Sequence, residues 1–149
     1  MRMLLDTNVL CRSIDSKSPE HQRLNLALQQ LHGDGAEFCI VPQNLYELWV
    51  ITTRDISSNG FERSHQEAIE LMTDAMSNFT LLEEIPSVRT NWMRLIDQFQ
   101  VHGKNAHDAR LVAAMNAHGV TTLVTFNTKD FARYTMISLI DPLRQTVRE

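Results

Sequence analysis

The chain has 149 residues, a net charge of −4 with histidine neutral, 43% hydrophobic and 21% charged residues. That is the length and balance of one globular domain, read here as a single domain over 1–149, and it excludes disordered and collagen-like chains. Two cysteines, Cys11 and Cys39, make no disulfide framework, no apolar run approaches the ~18 residues of a membrane span, and no secretory leader is visible, so a reducing cytoplasm and no membrane are expected.

Met3-Leu4-Leu5 is a short apolar strand that stops at Asp6-Thr7-Asn8. Leu24, Ala27, Leu28 and Leu31 follow helical spacing, ended by Gly33 and Gly35. Phe38 to Val41 is a second strand, and Pro42 suits the first turn of the next helix, where its missing N–H is not needed. That helix is apolar nearly all round, which predicts a buried helix, and Glu47 is its only charge before Arg54. Asp55 to Phe61 predicts a mobile loop. Ser64-His65-Gln66-Glu67 fits a capping box ahead of Ala68, Leu71, Met72, Ala75, Met76 and Phe79. Leu81, Leu82 and Ile85 mark a weak third strand. Val88, Trp92, Leu95, Ile96 and Phe99 give a further amphipathic helix that stops near Gly103. Asn105 is expected to cap a helix through Ala109, Val112, Ala113 and Ala117, closed by Gly119. Val120 to Phe126 is the strongest strand, and Ile137, Leu139 and Ile140 form the last. Continuously apolar strands separated by helices predict a three-layer α/β fold with a parallel sheet.

In such a sheet, ligands bind beyond the carboxyl ends of the strands. Asp6 falls there, and so do Asn127 and Asp130. Each has a plain structural role to weigh against a functional one. Asp6 suits a helix cap, Asp108 complements a helix N-terminus, and Asn127 and Asp130 favour a turn. His107 is a candidate ligand or base, against the plainer reading that a lone His at a helix start is ordinarily a surface residue. Glu47 is more informative, since a buried carboxylate needs a hydrogen bond, an ion-pair partner such as Arg54 or Arg110, or a cation. The acidic balance argues against a protein that coats DNA, but not against a nucleic-acid enzyme, because an acidic cluster that holds a divalent cation lowers the count. There is no glycine-rich phosphate loop and no zinc spacing.

Leu4-Leu5-Asp6-Thr7-Asn8-Val9-Leu10, then Glu47, then His107-Asp108-Ala109-Arg110-Leu111-Val112-Ala113-Ala114-Met115, then Thr125-Phe126-Asn127-Thr128-Lys129-Asp130-Phe131, occur in that order. The ordered set resembles a PIN domain, in particular the VapC-like ribonuclease toxins of toxin–antitoxin pairs. The resemblance implies a Rossmann-like parallel sheet and a pocket for Mg²⁺ or Mn²⁺ built on Asp6, Glu47 and Asp108. The fourth place, which varies between Asp and Asn, falls on Asn127, with Asp130 ranked behind it as a source of the missing charge. Thr7 and Asn8 are expected to orient Asp6. Arg110, Arg12 and Lys104, and less strongly Lys129, are candidates to clamp the scissile phosphate. The resemblance further implies an RNA substrate, an antitoxin partner and a homodimer.

Two other readings fit the same residues. One is a PIN-like fold that binds RNA or protein without cutting, which Asn127 favours. The other is a haloacid-dehalogenase-like phosphatase with Asp6 as nucleophile. That chemistry needs a second Asp two residues on, where Asn8 stands.

Overall fold

In the computed structural model, residues 1–144 are described. Five parallel strands form one sheet: β1 (Arg2–Leu5), β2 (Glu37–Ile40), β3 (Thr80–Leu81), β4 (Thr122–Val124) and β5 (Ser138–Ile140), in the order β3-β2-β1-β4-β5. The helices of the described residues are α1 (Thr7–Ile14), α2 (His21–Gly33), α3 (Pro42–Thr53), α4 (His65–Asn78), α5 (Pro86–Gln98), α6 (Asn105–His118) and α7 (Thr128–Phe131). The three-layer α/β architecture is as the strand and helix alternation predicts.

The strands are buried on both faces because successive side chains point opposite ways. Leu4, Cys39 and Leu123 enter a core with Val88, Leu95, Val112, Ala113 and Phe131 from α5, α6 and α7. Met3, Leu5, Ile40 and Val124 enter the other, with Leu10, Leu24, Leu28, Leu48 and Ala75 from α1 to α4. β1 lies at the centre, paired with β2 through Met3–Phe38 and with β4 through Leu4–Leu123. The chain therefore reverses its direction of winding at β1, and the carboxyl edge there is the expected site for a ligand.

Helix ends follow local chemistry. Ser64 Oγ accepts from the Glu67 N–H at 3.1 Å, and the Ser64 N–H donates to Glu67 Oε1 at 3.3 Å. Gly119 closes α6 in the left-handed region at φ 69°, where a side chain would be strained. Four expectations change. Asn105 is the first residue of α6 and not its cap; Lys104 precedes it in helical conformation without a side-chain bond. β3 is reduced to Thr80–Leu81, because Ile85 already flanks α5, which Pro86 begins. The strongest predicted strand shortens to Thr122–Val124, although the Thr125 N–H still donates to Ile140 O at 2.9 Å. Helix α3 is not buried all round: Tyr46 and Val50 are 64% and 50% exposed on the side away from the sheet. The 55–61 segment holds a 3₁₀ turn at Ile56–Ser58, and Phe61 N–H donates to Ile51 O at 2.9 Å.

Asn44 ties α3 to the sheet. It is wholly buried. Its Oδ1 accepts from the Val41 N–H at 2.8 Å, and its Nδ2 donates to Leu5 O at 3.0 Å and to Thr7 Oγ1 at 3.1 Å. Truncation takes the partner from one buried donor, the Val41 N–H, and a donor from two acceptors, Leu5 O and Thr7 Oγ1, and a buried group left unpaired costs roughly 1–3 kcal/mol. Asn44→Ala is therefore expected to lose about 2–4 kcal/mol, read as a lower urea midpoint at unchanged slope.

Candidate active site

Asp6 sits where β1 turns into α1. Its N–H donates to Val124 O at 2.9 Å, and its carbonyl accepts from Val9 and Leu10, each at 3.0 Å. Its carboxylate is held at both oxygens: Oδ1 accepts from the Thr7 N–H at 2.8 Å and Oδ2 from the Thr125 hydroxyl at 2.7 Å. Thr125 Oγ1 accepts in turn from the Asn127 N–H at 2.9 Å. Asp6 is thus a helix cap and a fixed, buried carboxylate together. Burial pushes its proton affinity up, the Thr125 and Thr7 bonds oppose this, and the charge of Asp130 adds to it.

Glu47, on α3, forms no ion pair with Arg54 or Arg110. Its Oε1 accepts from Gln43 Nε2 at 2.8 Å. Burial raises its proton affinity first, with Asp6 adding to the rise, while Gln43, His107 and Arg110 lower it. Glu47 borders a recess of about 410 Å³ with Gln43, His107 and Arg110.

Asp108 projects from the first turn of α6. That turn is anchored by Trp92 Nε1, which donates to Ala106 O at 2.8 Å, and by Gln43 Nε2, which donates to His107 O at 2.8 Å. The Asp108 carboxyl is pushed up to about 6, by burial first and then by the charges of Asp6, Asp130 and Glu47; Arg133 acts the other way. Among the described residues, none of Asp6, Glu47, Asp108 and Asp130 forms an ion pair; the six pairs present use other acids. The three expected acids and Asp130 act on one another electrostatically, and the basic groups near them, His107, Arg110 and Arg133, form no ion pair with them.

The remaining candidates are distributed around this cluster. Asn127 is exposed and lines a second recess, of about 340 Å³, with Asn8, Arg12 and Phe126. Thr7 orients Asp6 through its N–H, whereas Asn8 faces that second recess. His107 is exposed and engages Gln43 through its carbonyl. Arg110 pairs with Glu84 at 3.2 Å and donates to Gln43 Oε1 at 3.3 Å. Arg12 lies 5.7 Å from the Phe126 ring centroid and 3.7 Å from Glu20. Lys104 and Lys129 are exposed. Sequence reasoning missed Thr125, Gln43, Asn44 and Arg133. The one signal was Gln43 four residues before Glu47, one helical turn away on the same face.

The sequence profile of the PIN domain matches residues 3–135. The chain belongs to the PIN domain family. Its fold is similar to VapBC-1 of nontypeable Haemophilus influenzae, with a TM-score of 0.70 at 14% identity over 95% of this chain and 98% of that one. It is similar to VapBC2 of Rickettsia felis bound to a promoter DNA fragment, with a TM-score of 0.67 at 19% identity over 94% and 98%. It is also similar to Mycobacterium tuberculosis VapC20, a sarcin-ricin loop cleaving toxin, with a TM-score of 0.62 at 14% identity over 87% and 93%. No curated protein matches the sequence. The family assignment sets aside the phosphatase reading. No helix of the described residues is long and apolar enough to cross a membrane.

In this PIN domain the acid cluster offers carboxylate oxygens, the donors that hard divalent cations prefer. Among the described residues no group of three or more His, Cys, Asp or Glu side chains is arranged to hold an ion as it stands. Mg²⁺ requires less than that, since it is commonly bound through one or two carboxylates and keeps several waters.

The Asp108 shift has a consequence for stability. Its ordinary value is 3.8, and in the folded protein it is about 6. Between those values the folded state holds a proton that the unfolded chain releases, so stability falls as pH rises through that window and is level above it. After solvent screening the loss is on the order of 1–2 kcal/mol. Asp108→Asn is expected to flatten this dependence and to match or exceed the wild type at pH 7.5 without metal, in thermal melts run in EDTA. A mutant destabilised by more than about 2 kcal/mol there would make the carboxylate structural.

Proposed function

We propose that this PIN domain is a Mg²⁺- or Mn²⁺-dependent endoribonuclease of the VapC toxin type, acting on single-stranded RNA in the cytoplasm as a homodimer controlled by an antitoxin. The observation that carries the reading is the set of acids Asp6, Glu47 and Asp108, with Asp130 beside them, none of them in an ion pair among the described residues. Burial and the neighbouring acids raise the proton affinity of Asp6, Glu47 and Asp108. A fold that retains them against that cost has a use for their charge. The similarity to a toxin described as cleaving the sarcin-ricin loop, and to VapBC pairs, supports the RNA substrate and the antitoxin.

Asp6, Glu47 and Asp108 would hold the cation. Bound Mg²⁺ or Mn²⁺ would neutralise the cluster and make a water acidic enough to attack a phosphodiester. Asp6 keeps one orientation because both of its oxygens are already engaged by Thr7 and Thr125. Glu47 is steered by Gln43. Asp108 is placed on the first turn of α6, where burial and the charges of Asp6, Asp130 and Glu47 raise its proton affinity. Arg110 is occupied by Glu84 and Gln43, and Arg12 by Glu20 and the Asn8 carbonyl, so a phosphate would have to displace one of these contacts or meet the exposed Arg133. A second reading, an RNA-binding PIN domain that does not cut, is favoured by the absence of a ready three-ligand group among the described residues.

Two tests bear on this reading. Purified protein is expected to cleave total RNA with Mg²⁺ or Mn²⁺, to stop in EDTA, and to lose activity by at least about a hundredfold with Asp6→Asn, the scale on which removing an electrostatic catalytic group acts. Because water and not the 2′-hydroxyl attacks, the ends are expected to be 5′-phosphate and 3′-hydroxyl; 2′,3′-cyclic phosphates would contradict the mechanism. The fourth position is tested separately. Asp130→Asn is expected to weaken Mn²⁺ binding about fivefold in calorimetry, equivalent to about 1 kcal/mol. Asn127→Asp, on the side of the second recess, is expected to change it less. The reverse ranking would move the fourth ligand to Asn127.

A further inference from the structure

We infer that Gln43 is a positioning residue that sets Glu47 against the helix carrying Asp108, with Asn44 as the fixed point of the same turn. The inference rests on the metal-dependent reading above and deepens it. Gln43 is 6% exposed. Both hydrogens of its amide are used across two elements, one on Glu47 Oε1 and one on His107 O, each at 2.8 Å. Its Oε1 accepts from Arg110 Nη1 at 3.3 Å, and Arg110 is held by Glu84 at 3.2 Å. One side chain therefore binds the carboxylate of α3, the backbone beside Asp108 on α6, and a tethered guanidinium. The next residue, Asn44, binds Leu5 O and Thr7 Oγ1 on either side of Asp6. Two consecutive amides in the first turn of α3 thus reach the segments of all three expected ligands.

The chemistry of an amide suits this task. Carboxylates that repel one another do not fix their own spacing. A lysine or arginine at position 43 would hold Glu47 by cancelling the charge a cation needs. A neutral donor holds it and leaves that charge in place. Arg110 sits on the acceptor side of Gln43, one step removed from Glu47. There it polarises the amide and strengthens the donor without forming an ion pair with the acid.

The test is calorimetric titration of Mn²⁺ into the full chain. Wild type, Gln43→Met, Glu47→Gln and the double variant are compared, with melting curves and circular dichroism beside each. Gln43→Met keeps the volume and removes every hydrogen bond. It is expected to fold, to bind Mn²⁺ at least tenfold more weakly, and to raise by the same factor the metal concentration that gives half-maximal RNA cleavage. In the Glu47→Gln background the added loss is expected to fall below threefold, because a residue acting through Glu47 has nothing left to position. A merely structural role gives equal losses in both backgrounds and would overturn the inference, as would unchanged affinity in Gln43→Met. Should the methionine variant not fold, Gln43→Ser, which leaves space for water, carries the same expectations. Wild type that binds Mn²⁺ but cuts no RNA would defeat the nuclease reading and leave the positioning role standing on the titration. Wild type that binds no Mn²⁺ would overturn both.

Discussion

The repulsion among carboxylates at the carboxyl edge of the sheet is the constraint around which this molecule is arranged. Asp6, Glu47, Asp108 and Asp130 lie on four different segments, so no local turn geometry holds them together. The strand order does. With β1 in the centre, β2 leads into α3 on one side and β4 leads toward α7 on the other, and both arrive at the edge where Asp6 stands. The parallel pairing of three short strands thus converts residues more than a hundred positions apart into neighbours. Helix α6 completes the ring from the opposite layer, its first turn fastened by Trp92 and Gln43.

The fold meets this constraint with neutral groups. Thr7, Thr125, Gln43 and Asn44 supply hydroxyls, amides and backbone N–H groups, while Arg110 pairs with Glu84 and Arg63 with Asp15. Hydrogen bonds of this kind restore part of the solvation that burial removes from a carboxylate, and they leave its charge available. Salt bridges in the same place would cancel that charge. A locally unfavourable arrangement is common where a binding site requires one.

Much of this was legible in the residues, for physical reasons that differ by element. The strands announced themselves because burial on both faces leaves a continuous apolar run, and the Ser64 box and Pro42 mark helix starts by local chemistry that needs no partner. Glu47 stood out as a lone charge in an apolar helix. The same helix was misjudged as buried all round, because apolar composition cannot distinguish a covered face from an uncovered one, and Tyr46 and Val50 lie uncovered. Asn105 was expected to cap α6, a task its type suits, yet Lys104 takes the flanking position because Gly103 in its left-handed conformation brings the chain in one residue earlier. Thr125 was invisible for a different reason, and so were the long-range bonds of Gln43 and Asn44: these partners lie 119, 64 and 39 residues away, beyond any local pattern.

The bond between Thr125 and Asp6 also bears on how the protein is made. Asp6 leaves the ribosome before residues 122–125, which hold the hydroxyl that fixes its Oδ2 and the strand that receives its N–H. Domains of this kind fold as units once their long-range contacts are available. A nascent or prematurely ended chain that stops short of β4 therefore has its first acid but neither the strand beside it nor the hydroxyl that orients it. Synthesis interrupted before β4 yields fragments in which Asp6 is not held in the orientation it has in the folded domain.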